Sequence, residues 1–144
     1  MIVPDANLLL YAYDESSPFH ERAVGWWQDC LSGAEPVGLC EVVLYAFVRI
    51  GTNRRAFLRP MPIEEAAAHV DSWLSRTVTD FLVPREADFL QALDWLRRAG
   101  AGGNLTTDAQ IAAIARRHRA TVHSADPDFQ RFPGLRWKNP LKGG

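Results

Sequence analysis

Short apolar segments alternate along the chain with longer segments of helical periodicity. Strand character is found in "MIVP", "PVGLC", "DFLVP" and "ATVHSA", and amphipathic helical segments lie between them. Strands separated by helices pack most simply as a parallel sheet covered by those helices, so the pattern predicts an α/β sandwich with a mainly parallel central sheet. The 144 residues contain no repeat, low-complexity tract or long linker, and residues 1–144 are therefore predicted to form a single domain.

Helix boundaries are indicated by capping residues and glycines. Ser16 or Ser17 is the predicted N-cap of a helix in "SSPFHERAVGWWQDCLSG" that ends at Gly33. Another helix is predicted from around Glu41 to just before Gly51. Three further helices are predicted in "PIEEAAAHVDSWLSR", "READFLQALDWLRRAG" and "TDAQIAAIARRHR".

The composition excludes several classes of protein. Hydrophobic residues make up 47% and charged residues 23%, which is typical of a soluble globular chain and not of a disordered one. The net charge of -1 provides no overall basic field, so any contact with RNA must depend on local patches. No apolar run approaches the roughly 18 residues of a membrane span, and Met1–Leu10 lacks the charged start of a signal peptide. We therefore expect a cytoplasmic protein with no membrane partner.

Three aspartates stand where secondary-structure elements begin or end. Asp5 follows the first strand, Asp126 follows a later strand, and Asp108 lies at the start of a helix. In an open parallel sheet, ligands bind beyond the carboxyl ends of the strands, so all three side chains can face the same edge. Taken singly, each aspartate is also explained as a turn or capping residue. Together, clustered carboxylates raise one another's pKa unless a cation compensates, and hard oxygen ligands suit Mg²⁺, with Mn²⁺ as an alternative.

Three segments resemble the signature motifs of PIN-domain ribonucleases, specifically the VapC toxins of bacterial type II toxin–antitoxin pairs. They are "PDANLLLYAYDE", "GNLTTDAQIAAIA" and "HSADPDFQRFPGL", and the resemblance extends over essentially the whole chain. It implies a three-layer α/β/α sandwich and a magnesium-dependent endoribonuclease that hydrolyses RNA phosphodiester bonds. It also implies a homodimer and neutralisation by a VapB-like antitoxin.

The resemblance assigns roles by position. Asp5, Asp108 and Asp126 match the acidic positions of the family, Asn7 matches the polar companion of the first acid, and Asp128 is the second acid of the "D-x-D-F" turn. We therefore expect the metal ligands to be Asp5, Asp108, Asp126 and Asp128. The expected catalytic residues are Asp5, Asp108, Asp126 and Glu41.

Glu41 is included in spite of a departure from the family pattern. A glutamate is common in the family at the position that Leu44 occupies here, and the only nearby acid is Glu41, one turn earlier. Its Cα is displaced by about 4.5 Å along the helix axis, on a similar face. The departure also keeps a second function open, a PIN-fold module that binds RNA or antitoxin with little or no cleavage.

Other polar groups have structural interpretations beside functional ones. The arginines between Arg49 and Arg59 could bind RNA phosphates or could complement a helix dipole, whereas Arg116 and its neighbours are better explained as a solvated helix end. His123 is the only histidine near the acidic segments. Cys30 and Cys40 have no metal-binding spacing and are expected to be reduced thiols in or near the core. A phosphatase or receiver-type domain would need a lysine at the site, but the only lysines lie in the tail.

Overall fold

All five strands of the sheet run parallel. A computed structural model describes residues 1–142, so Gly143 and Gly144 of the predicted single domain lie outside the described residues. The strands are β1 (Ile2–Pro4), β2 (Val37–Cys40), β3 (Thr79–Leu82), β4 (Thr121–His123) and β5 (Arg136–Lys138). The helices are α1 (Ala6–Tyr13), α2 (His20–Ser32), α3 (Glu41–Gly51), α4 (Ile63–Leu74), α5 (Glu86–Ala99) and α6 (Leu105–Arg117), and a 3-10 turn (Pro127–Arg131) precedes β5.

The strand order is β3-β2-β1-β4-β5, which places β1 at the centre. The chain moves outward from β1 to β3 and then returns to β4 on the other side of β1. The direction of the chain across the sheet therefore reverses between β1 and β4, and ligands of open α/β sheets bind at such a reversal. Right-handed crossovers put the helices between β1 and β3 on one face and α5 and α6 on the other. The prediction of a mainly parallel sheet is confirmed.

The central strands are buried on both faces. Every residue of β2 is buried, and Val3 and Val122 in the neighbouring strands have no exposed surface. A strand is buried at successive residues only when helices cover both sides of its sheet. Phe47 of α3 and Phe129 of the 3-10 turn are the largest of the fully buried side chains. The predicted three-layer α/β/α sandwich is confirmed.

Two predicted boundaries are confirmed and one is wrong. Helix α2 ends at Gly33 and α3 begins at Glu41, as predicted. Neither Ser16 nor Ser17 caps α2, because the helix starts only at His20 and its N-cap residue, Phe19, makes no side-chain capping bond. The two hydroxyls are used in the preceding turn instead: Ser17 accepts from the Phe19 amide and Ser16 donates to Asp14.

Two elements were not predicted. Helix α1 follows β1 after a single residue, Asp5, and β5 pairs with β4 in the segment "RWK" near the end of the chain. Cys30 and Cys40 are free and buried, so the prediction of reduced thiols in or near the core is confirmed, and burial raises the pKa of both thiols to about 12. Within residues 1–142, none of the helices has the length and apolar character required to cross a bilayer.

Candidate metal centre

Asp5 is held at the carboxyl end of the central strand by the elements on either side of it. Its amide donates to the carbonyl of His123 at the end of β4, with a distance of 2.9 Å. One carboxylate oxygen, Oδ1, accepts from the Ala6 amide at 2.8 Å and caps α1. The other, Oδ2, accepts from the Ser124 hydroxyl at 2.7 Å. The strand pairing and the helix start therefore fix the carboxylate at the reversal between β1 and β4.

Ser124 connects the segments that carry the acidic residues. It is fully buried, directly after β4, and its hydroxyl donates to Asp5. The same oxygen accepts from the Asn7 side-chain amide at 3.2 Å and from the Asp126 backbone amide at 3.0 Å. One hydroxyl therefore links β1, α1 and the turn after β4. Sequence analysis did not identify Ser124, although its place between a strand end and the first acid of the turn was a signal.

Three carboxylates converge beside this hydroxyl. Asp126 caps the 3-10 turn by accepting from the Asp128 amide at 2.9 Å, which orients both side chains. Asp108 lies in the first turn of α6 with only 9% of its surface exposed. One oxygen from each of Asp108, Asp126 and Asp128 lies within 4.8 Å of the other two. These distances fit ligands that share one cation.

The site is short of positive charge. The pKa of Asp108 is raised to about 7 by burial, by the charges of Asp126 and Asp5, and by a hydrogen bond with Asp126. The pKa of Asp5 is also raised, mainly by burial, although the bonds from Ser124 and Ala6 act in the opposite direction. A divalent cation would reverse both shifts because it favours the ionised carboxylates. The donors are all hard oxygens, so the residues fit Mg²⁺ or Mn²⁺.

The acids predicted for the site do not all lie equally close together. Asp108, Asp126 and Asp128 form the compact group, and Asp5 lies beside it, joined through Ser124 and through its effect on the pKa of Asp108. Glu41 is exposed and directly follows β2, the neighbour of β1, so it lies at the same edge of the sheet.

The side chain at position 44 has a different environment from Glu41. Leu44 is 7% exposed and belongs to the hydrophobic core, where it faces Val70 and Leu74 of α4. A carboxylate at position 44 would therefore be buried among apolar side chains. At this edge of the sheet, the acid that the fold presents on α3 is Glu41.

Two other groups considered in the sequence have structural roles. His123 is buried, and its Nδ1 accepts from the Trp26 indole at 3.0 Å. Burial, followed by the charge of Lys138, lowers the pKa of His123 to about 4, so the ring is neutral at physiological pH. Arg117 has a structural role, but as a 2.9 Å ion pair with the buried Asp88 of α5 rather than as part of a solvated helix end.

The raised pKa of Asp108 predicts how the stability of the metal-free protein depends on pH. The folded state holds the Asp108 proton more tightly than the unfolded state, so this proton stabilises the fold at acid pH and the contribution is lost as pH rises through about 7. In EDTA at about pH 8, Asp108→Asn should raise the Tm by roughly 3–8 °C, because it removes a buried like charge. At about pH 5 the same substitution should change the Tm little.

Thermal unfolding followed by circular dichroism at both pH values measures this effect. Asp71→Asn on α4 is the matched control, since this aspartate is exposed and is not among the carboxylates that raise the pKa of Asp108. An equal Tm difference between Asp108→Asn and the wild-type protein at both pH values would contradict the assignment.

Comparison with known proteins agrees with this fold. The profile of the PIN domain matches residues 2–135. Ribonuclease VapC33 of Mycobacterium tuberculosis is 44% identical over 144 residues, with 99% of each chain covered. Ribonuclease VapC37 of the same species is 43% identical over 142 residues, with 97% of each chain covered.

Solved structures with the same fold include a VapC toxin and a VapBC complex. M. tuberculosis VapC20, described as a sarcin–ricin loop cleaving toxin, superposes with a TM-score of 0.71 at 23% identity, covering 94% of this chain and 99% of VapC20. VapBC-1 from nontypeable Haemophilus influenzae superposes with a TM-score of 0.68 at 20% identity, covering 99% of this chain and 100% of that one. At such identities the likeness concerns the fold alone.

Proposed function

The chain belongs to the PIN-domain family and, within it, to the VapC ribonucleases, and from this we propose a specific function. The protein is a magnesium-dependent endoribonuclease that acts in the cytoplasm as the toxin of a type II toxin–antitoxin pair. The observation that carries the proposal is the convergence of Asp108, Asp126 and Asp128, with oxygens within 4.8 Å of one another, beside Asp5 at the reversal of the sheet. Relatives named as ribonucleases over the full chain favour cleavage over a binding module without activity.

The four aspartates are the proposed metal ligands, and Mn²⁺ is the alternative to Mg²⁺. When bound, the ion would act as a Lewis acid on the phosphodiester and so favour attack by water. Ser124 keeps Asp5 oriented and, by donating to its carboxylate, favours the ionised form that a cation requires. Asp108 holds a proton near neutral pH in the metal-free protein and has to release it when a cation binds.

Glu41 is the proposed proton acceptor. It is exposed at the edge of the sheet and, within residues 1–142, its carboxylate forms no ion pair with another residue. It is therefore free to orient the attacking water and to take up the proton that the water loses. Asp128, the other exposed acid at this edge, stays with the metal ligands in this proposal.

Cleavage of RNA in the presence and absence of metal tests the enzyme assignment. The purified protein should cleave bulk tRNA and ribosomal RNA with Mg²⁺ or Mn²⁺ and should stop when EDTA is added. Asp5→Asn and Asp108→Asn should each reduce the rate by about 100-fold or more while the fold is retained, because each removes a charge that the metal needs. Asp71→Asn is again the control and should cleave at the wild-type rate.

Two results would count against this mechanism. Undiminished cleavage in EDTA would exclude the metal. RNA binding by the wild-type protein without cleavage, at any Mg²⁺ or Mn²⁺ concentration, would favour the module that binds RNA or antitoxin.

Substitution of Glu41 separates a catalytic role from a helix-capping one. Glu41→Gln should reduce cleavage by about 10- to 100-fold if the carboxylate acts on the water or supports the metal. The control is Glu64→Gln in the first turn of α4, which removes an exposed acid at a similar place in a helix. The rate is measured from single-turnover cleavage at saturating Mg²⁺, and wild-type activity in Glu41→Gln would remove this residue from the site.

The double variant Glu41→Gln with Leu44→Glu tests the alternative position of the acid. Because Leu44 is buried against α4, a glutamate there should lower the free energy of unfolding and should not restore cleavage. A folded, active double variant would show that position 44 reaches the metal after all.

A VapB-like antitoxin is the proposed protein partner. VapBC complexes from H. influenzae and Rickettsia felis contain chains of the same fold. In this chain, Asp14, Glu15 and Glu65 line an open cavity of about 600 Å³ beside the end of α1, together with Phe57 and Leu58. The three acids outnumber the one basic residue of the lining, Arg59, so this cavity suits a basic amphipathic segment of the antitoxin. None of the metal-site aspartates lines the cavity, so a separate arginine of the antitoxin is proposed to pair with the carboxylates of the metal site.

Co-expression with the product of the neighbouring gene tests this inhibition. The two proteins should co-purify, and the complex should cleave RNA far more slowly than the free protein. An Arg→Ala scan of the antitoxin's C-terminal segment should restore cleavage at one position without dissociating the complex. A stable complex with full activity would contradict the blocking mechanism.

A homodimer is the proposed assembly. β3 is an edge strand and leaves Phe81 exposed, and Val83, directly after the strand, is exposed as well. An apolar sheet edge of this kind is normally covered. We propose that a second copy of the chain packs against the β3 edge.

A further inference from the structure

A cavity of about 710 Å³ opens between α3 and α5, with α6 beneath it. Tyr45 and Arg49 line it from α3, and Phe89 lines it from α5. Glu41 lies in its wall, and Gln110, two residues after Asp108 on α6, also lines it. Through Glu41 the cavity reaches the edge of the sheet that carries the candidate metal centre. Its volume is within the range of small-ligand sites.

Two aromatic side chains stand in solvent on opposite walls of this cavity. Tyr45 is 67% exposed on α3 and Phe89 is 62% exposed on α5. Neither ring packs against another aromatic ring within residues 1–142. Large aromatic surfaces left in water beside an active site are suited to stack on a planar ligand, and any nucleobase offers such a face.

The charges of the cavity are balanced. Arg49 and Arg85 form no ion pair with another residue of the described chain, and they face the exposed acids Glu41 and Glu86. The buried Asp88 is neutralised by its own ion pair. A track for the sugar–phosphate backbone would be predominantly basic, so this cavity suits a base, with an arginine available for one adjoining phosphate.

Gln110 supplies hydrogen-bonding groups that could distinguish one base from another. Its side chain is exposed in the cavity and makes no hydrogen bond within residues 1–142. A side-chain amide offers both a donor and an acceptor, which is the pattern that pairs with the edge of a base. Gln110 lies two residues after Asp108, on a different face of α6, so the cavity and the metal centre share the first two turns of this helix.

We propose that the cavity binds one unstacked base of the RNA, next to the scissile phosphate, between Tyr45 and Phe89, and that Gln110 determines which base is preferred. The proposal rests on the proposed RNA cleavage. The proposed dimer surface, Phe81 and Val83, does not line this cavity but borders it at Pro84, so a second copy of the chain is the competing occupant that the experiment has to exclude.

Cleavage and binding of one probe, a short single-stranded RNA of randomised sequence, test the proposal separately from catalysis. Sequencing the ends produced by the wild-type protein with Mg²⁺ should show a base preference at one position beside the cut. Tyr45→Ala and Phe89→Ala should flatten this preference and weaken binding about 5- to 100-fold, the effect of losing one base–aromatic stack. Binding is measured by fluorescence anisotropy on proteins that also carry Asp108→Asn, so that the RNA stays intact.

Matched variants show whether the ring itself is needed. Tyr45→Phe keeps the stacking face and should retain wild-type binding. Gln110→Ala should alter the base preference with less effect on affinity. Phe19→Ala removes an exposed aromatic ring that does not line the cavity and should change neither quantity. Both Tyr45 and Phe89 are largely exposed, so their truncation leaves the core intact, and the Tm of each variant verifies this.

The outcomes distinguish this proposal from the proposed function. Cleavage with unchanged affinity and base preference in Tyr45→Ala and Phe89→Ala would overturn the base site while RNA cleavage stands. Tyr45-dependent binding without any cleavage would support the base site and count against the enzyme. Weaker binding that coincides with loss of a dimer in sedimentation velocity would assign the cavity to a second copy of the chain and overturn the proposal.

Discussion

The parallel direction of the five strands is the constraint on which the site depends. It brings the carboxyl ends of β1, β2 and β4 to one edge, so Asp5, Glu41 and the turn after β4 meet there although they are distant in sequence. The reversal of strand order between β1 and β4 leaves a crevice at that edge. Helix α6, which lies on the other face of the sheet from α3, contributes Asp108. The acidic site is thus a consequence of topology and not of any single local motif.

The same arrangement brings carboxylates that repel one another close together. Asp108 is buried beside Asp126 and close enough to Asp5 for each charge to raise its pKa, and the neutral His123 at the end of β4 supplies no counter-charge. Ser124 is the interaction that keeps these groups together, because its hydroxyl bonds to Asp5 and to the backbone of Asp126 at once. This repulsion lowers the stability of the fold, and binding of the proposed metal ion would relieve it.

Sequence reasoning succeeded where the signal is local. The alternation of strand-like and helical segments predicted the parallel sheet, and the capping position of Asp126 and the early helical position of Asp108 are visible in the chain itself. It failed where packing decides. The core environment of Leu44 depends on α4, the hydroxyl of Ser124 gains its role from contacts with Asp5, and the cavity that Tyr45 lines is formed by helices from distant parts of the chain.

Anomalous diffraction from crystals grown with Mn²⁺ tests most directly whether the carboxylates of this edge form one metal site. We predict an anomalous peak coordinated by oxygens of Asp108, Asp126 and Asp128, with Asp5 beside it, and the loss of this peak in crystals of Asp108→Asn. A Mn²⁺ peak elsewhere on the protein, with these four carboxylates free of metal at saturating Mn²⁺, would contradict the proposed metal site.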